Sequence, residues 1–159
     1  MSNPPATIDD VAFTVSRTVR IDAPLSTVWT ALTAPEHLAG WFGDRAEFPD
    51  GVHVGAEGTF GWPDHGDFPV RVVEFAPEER FAFTWGTPGE PIRADNSTTA
   101  HFTLDPDGDT TVVTVLETGF EDLGDDARRR AAMEDNRSGW TEELDQLVAY
   151  VATLARTDA

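Results

Sequence analysis

From Ala12 to Ile21 apolar and polar side chains alternate, placing Phe13, Val15, Val19 and Ile21 on one face together with Arg17. A period of two predicts a strand. Pro24 follows, and a proline in the first helical turn gives up an N–H that has no partner there anyway. It therefore opens a helix with Val28, Trp29 and Leu32 on one side. Ala34-Pro35 ends this helix and begins a second, from Glu36 to about Trp41. The chain then breaks into short runs at 59–62, 68–75, 80–86, 97–104 and 110–118, divided by turn clusters such as Pro49-Asp50-Gly51 and Asp105-Pro106-Asp107-Gly108. Asp107-Gly108 between two alternating runs predicts a hairpin, so the last two strands are antiparallel neighbours.

At Asp125 or Asp126 the period becomes helical and holds to about Ala155, with aspartate as the N-cap. Trp140, Leu144, Leu147, Val148, Val151 and Leu154 recur at three- and four-residue spacing, the stripe a helix lays against a sheet. At ~1.5 Å per residue this helix is roughly 45 Å long, enough to cross one. Gly139 inside it costs about 1 kcal/mol relative to alanine, which a packing or cavity role would explain. Residues 1–11 are polar and Pro-rich, a loose tail before a single domain over 12–156. The expected fold is α+β: a curved antiparallel sheet of six to seven strands around the long C-terminal helix, with two short helices after the first strand.

Composition narrows the chemistry. The 159 residues include no cysteine, so disulfides, thiolate metal sites and cysteine nucleophiles are absent and the default compartment is cytoplasmic. All eleven basic residues are arginine, which removes the phosphate-loop lysine and Schiff-base chemistry. A formal net charge of −18 argues against nucleic acid or an anionic membrane as partner. No apolar run reaches the ~18 residues of a membrane span, and MSNPPATIDD lacks the basic start and apolar core of a secretory signal. His37, His53, His65 and His101 fall on separate elements without metal-ligand spacing, and Asp64-His65-Gly66-Asp67 reads as a turn. No nucleophile elbow, dinucleotide turn or phosphate loop occurs, so neither metal nor cofactor is expected.

Four blocks carry a resemblance: IDAPLSTVWTALTAPEHLAGWFG at 21–43, PEERFAFTW at 77–85, VLETGF at 115–120 and GWTEELDQL at 139–147. In this order, from about Val11 to Ala155, they resemble the activator-of-heat-shock-protein-ninety-ATPase homologue family of the START/polyketide-cyclase superfamily. The resemblance implies the helix-grip fold. It implies three activities hosted on that scaffold: binding of a small hydrophobic ligand in an internal cavity, a cyclase or aromatase using the same cavity, and a co-chaperone-like module whose partner is a chaperone.

An interior cavity directs attention to inward side chains. Alternation puts Phe81, Phe83 and Trp85 on one strand face, Phe60 with Trp62 on another, and Ala100, Phe102 and Leu104 on a third. With Trp41, Phe42 and Trp140 from the helices, these rings either wall a cavity or pack a dry core, and the resemblance favours the cavity. Glu117 shares a face with Val113 and Val115, where an ionised carboxylate is costly unless paired. It is the candidate to bind a ligand hydroxyl or move protons, and Arg17 is its expected counter-charge; the plain alternatives are a Glu117–Arg17 pair or a wet strand end. Val115 and Leu144 complete the expected ligand-contacting set. Tyr150 belongs at the flank of the helical stripe.

Overall fold

A computed structural model describes residues 3–157, with side chains through Leu154. The strands are β1 (Thr7–Asp9), β2 (Thr14–Ile21), β3 (Arg45–Glu47), β4 (Glu57–Trp62), β5 (Gly66–Ala76), β6 (Arg80–Trp85), β7 (Thr98–Asp107) and β8 (Thr110–Thr118). They form one antiparallel sheet in the order β1-β2-β8-β7-β6-β5-β4-β3. Helices α1 (Leu25–Thr33) and α2 (Pro35–Trp41) follow β2, and α3 (Asp126–Thr157) follows a 3-10 turn at Phe120–Asp122. Among the described residues no helix is long and apolar enough to cross a membrane.

The sheet buries one face. Along β2 and β8 buried and half-exposed residues alternate, and the register sets Val15 against Glu117, Arg17 against Val115 and Val19 against Val113. Directly opposed residues share a face, so this row is the wall that α3 covers with Trp140, Leu144, Leu147 and Val151. The β7–β8 hairpin turns through Gly108-Asp109, with Gly108 at φ +63°, a left-handed conformation that glycine adopts freely. In β5 a bulge between Val72 and Glu74 adds bend and twist, which curls the sheet around α3. The Asp125 carboxylate accepts the Arg128 N–H at 2.8 Å, the N-cap that starts α3.

Eight strands replace the expected six to seven, because β1 and β3 are only three residues long. Three residues cannot display a period, so these strands are invisible to patterning. β1 lies inside the segment expected to be loose, of which Met1 and Ser2 fall outside the described residues. Its neighbours are held by tertiary contacts: Ala6 is buried, its N–H donates to Thr141 Oγ1 at 3.0 Å, and the Pro4 carbonyl accepts from Arg17 Nε at 2.8 Å. β3 approaches β4 so closely that a Cβ on Gly58 would lie 2.4 Å from the Glu47 carbonyl, which only glycine permits.

Candidate functional site

Glu117, next to last in β8, faces inward between Val15 of β2 and Ala100 of β7 and is fully buried. Its Oε1 accepts the Trp140 indole N–H at 2.8 Å and Asn136 Nδ2 at 2.9 Å. Its Oε2 accepts the Trp85 indole N–H at 2.9 Å, Asn136 Nδ2 at 2.9 Å and the Thr98 hydroxyl at 2.5 Å. Indole N–H and amide NH₂ groups only donate, so this ring of neutral partners suits a carboxylate rather than an acid. Burial nevertheless pushes the Glu117 pKa up, while the bonds from Thr98, Trp140, Trp85 and Asn136 pull it back. Asn136 and Trp140 stand four residues apart on α3, one above the other, which is why a single helical turn supplies two donors.

Above this carboxylate lies a cleft of about 660 Å³, between the β4–β5 turn, the end of β6 and the first half of α3. Phe42, Trp62, Phe68, Trp85, Phe120 and Trp140 form its walls. Phe42 is the hub: it stacks on Trp140 at 5.6 Å, tilts against Trp85 at 5.6 Å and meets Trp62 edge-on at 5.1 Å. Trp85 and Trp140 turn their N–H groups onto Glu117; Trp140 is buried under Phe42, and the half-buried Trp85 offers the cleft carbon and π face. Gly139 opens the α3 side, since a Cβ there would have no atom within 4 Å.

The rim is acidic, with Asp64 on the turn and Asp135, Glu142 and Glu143 on α3. Burial, and then the Glu142 charge, push the Glu143 carboxyl up to about 8, while the Trp62 indole beside it works the other way. Glu143 Oε2 is enclosed and has no hydrogen-bond partner.

Of the residues expected at the site, Phe42, Trp62, Trp85 and Trp140 line the cleft and Glu117 lies beneath it. Trp41, Phe60, Phe83, Phe102, Val115 and Leu144 are packed into the core instead, and the Trp41 indole donates to the Ala31 carbonyl at 2.8 Å. Arg17 is not the counter-charge of Glu117. Its guanidinium donates to the Thr141 carbonyl at 2.6 Å, the Trp140 carbonyl at 3.3 Å and Asp145 Oδ1 at 2.7 Å. Its length carries it past the neighbouring carboxylate to α3. Tyr150 bonds His37 Nδ1 at 2.6 Å, on the α2 side of α3 and away from the cleft. Asn136, Thr98, Phe68, Phe120 and Glu143 are the contributors that patterning missed. Two were recoverable: Thr98 shares a strand face with Ala100 and Phe102, and Asn136 lies one turn before Trp140.

The same fold occurs in solved structures. The crystal structure of MLL2253 from Mesorhizobium loti is 23% identical, with a TM-score of 0.74 over 92% of this chain and 99% of that one. CalU16 from Micromonospora echinospora is 20% identical, with a TM-score of 0.67 over 90% of this chain and 79% of CalU16. DynU16, a protein of the dynemicin biosynthetic locus, is 24% identical over 88% of this chain with a TM-score of 0.69, and the chain spans 47% of DynU16. At such identities the likeness establishes the fold and nothing narrower. Among curated proteins none matches the sequence. The family described as activator of Hsp90 ATPase homolog 1-like protein matches residues 22–152, from the end of β2 through nearly all of α3, and the chain belongs to that family.

Proposed function

We propose that the protein binds a small, largely apolar ligand with a flat or extended body in the cleft between the sheet and α3, as a non-catalytic cytoplasmic carrier or sensor. The observation that carries this reading is the orientation of Trp85, whose N–H points down to Glu117 while its half-buried ring lines the cleft beside the half-buried ring of Trp62. Binding then draws on desolvation, ~25 cal/mol per Å² of apolar area removed from water. Glu117 acts through the rings: it fixes them and does not itself reach a ligand, being wholly enclosed with both oxygens engaged.

A cyclase or aromatase reading has one favouring observation, the Glu143 carboxyl in the wall with a pKa of about 8, within the range of a general acid–base. The chaperone-binding reading calls for an exposed apolar or charged patch outside the cleft. Large apolar side chains exposed among the described residues, Val11, Val54, Val73 and Leu116, fall on four separate segments.

The test is Gly139→Leu. The backbone is helical and the Cβ position is open, so the variant folds, and its helix gains up to about 1 kcal/mol. The new side chain occupies the cleft. Calorimetric titration with 1-naphthalenemethanol is expected to show binding to the wild type, weakened at least about tenfold in the variant at equal or higher Tm. A wild type that binds no apolar probe, or a variant that binds as tightly, overturns the reading.

A further inference from the structure

We propose that the cleft selects ligands bearing a fixed positive charge on an apolar body, a protonated amine or quaternary ammonium, with the Glu143 carboxylate as counter-charge; this rests on the ligand-binding reading above.

The first support is the composition of the lining. Its titratable groups are Asp64 and His65 from the β4–β5 turn and Asp135, Glu142 and Glu143 from α3. The contributions of β6, the loop after it, the 3-10 turn and Phe42 are uncharged. Among the described residues no arginine lines the cleft, although the chain has eleven basic residues, all arginine. Those nearest in sequence are engaged elsewhere: Arg137 with Glu134, Arg129 and Arg130 with Asp126, Arg93 with Glu90 and Asp95, and Arg45 with Glu47 and Asp67. An anionic ligand would therefore meet Asp64, Asp135 and Glu142 with no arginine among the described lining residues to offset them, a like-charge arrangement that rejects it.

The second support is the unpartnered oxygen. Glu143 is half-buried with the Trp62 indole N–H beside its carboxyl, and its Oε2 has no hydrogen-bond partner among the described residues, so a ligand that brings charge stabilises it. The third is the π surface beside it. Trp62 and Trp85, both half-buried, tilt against each other at 5.9 Å, so a cation lying on them in the cleft meets π surface whose quadrupole attracts it. The net charge of −18 adds a field that draws cations toward the molecule.

A cation binds the ionised form of Glu143, and burial together with Glu142 keeps that group protonated up to about pH 8. Binding must then expel a proton, so affinity for a cation that does not itself titrate rises with pH toward 8 and levels off above it.

Three probes with one ring system separate the possibilities: (1-naphthylmethyl)trimethylammonium, 1-naphthalenemethanol and 1-naphthoate, titrated calorimetrically into the intact protein. The ammonium is expected to bind at least about tenfold more tightly than the alcohol, and naphthoate most weakly. Its affinity should climb several-fold between about pH 6.5 and about pH 8.5. In Glu143→Gln the ammonium and the alcohol should fall within about twofold of each other, with a shallower pH profile, and a cooperative thermal transition together with a wild-type circular dichroism spectrum reports that the variant is folded. An alcohol or naphthoate that binds as tightly as the ammonium overturns charge selection while leaving the cleft a binding site. A preference that survives in Glu143→Gln overturns the assignment of the counter-charge. If none of the three binds, the underlying ligand-binding reading falls.

Discussion

Replacing Glu117 by glutamine preserves its shape but exchanges an oxygen for an NH₂ group, and every neighbour already donates. Whichever way the amide is turned, it faces an indole N–H, of Trp140 on one side or Trp85 on the other. One indole is then left without an acceptor in a dry place, at a cost of about 1–3 kcal/mol. Glu117→Leu orphans Trp85, Trp140, Thr98 and Asn136 together and is expected to cost more, about 3–5 kcal/mol. Urea unfolding should therefore rank wild type above Glu117→Gln above Glu117→Leu; a glutamine variant as stable as wild type would contradict the geometry. The position of Glu117 was legible, because alternation with Val113 and Val115 makes it inward. Its partners were not: periodicity says which face a residue occupies but not how far a flexible side chain reaches. Arg17, also inward, bypasses Glu117 for the carbonyls of α3.

That same arginine fastens three elements. From β2, with its side chain 1% exposed, it bonds Pro4 ahead of β1 and both Thr141 and Asp145 on α3. Truncation to methionine removes charged hydrogen bonds and leaves buried carbonyls short of a donor, an expected loss of about 2–4 kcal/mol. The loss should be uneven. Hydrogen exchange in Arg17→Met is expected to show the amides of Ala6 and β1 deprotected first, since these residues are tied down by Arg17 and Thr141, whereas β7 and β8 stay protected; uniform deprotection would argue against the clamp. Elements long enough to repeat a period, such as β2, β7, β8 and α3, were readable within a few residues. β1, β3 and the bulge in β5 were not, because pairing by neighbours decides them rather than local pattern.

The excess of acidic groups acts on the molecule as a whole. With a net charge of −18 the compact state repels itself, and dissolved salt weakens that repulsion. Raising ionic strength from about 10 mM to about 150 mM shortens the screening length from ~30 Å to ~8 Å. Tm is expected to rise over this range in a differential scanning experiment; a flat or falling Tm would mean that local ion pairs such as Arg130 with Asp126 outweigh the global field. The architecture was legible at this scale, from the order of elements and the resemblance of four blocks. The location of the free space was not. Inward rings look alike in sequence, and only the path of the sheet decides that Phe60, Phe83 and Phe102 fill the core while Trp62 and Trp85 stand at its open end.

Two of the five tryptophans, Trp62 and Trp85, stand half-buried in the cleft; Trp140 beneath them, Trp29 and Trp41 are buried in the core. The molecule thus contains its own optical gauge. The surroundings of those two indoles change when the space beside them fills, so occupancy can be followed without a label, by a shift or quenching of their ultraviolet emission.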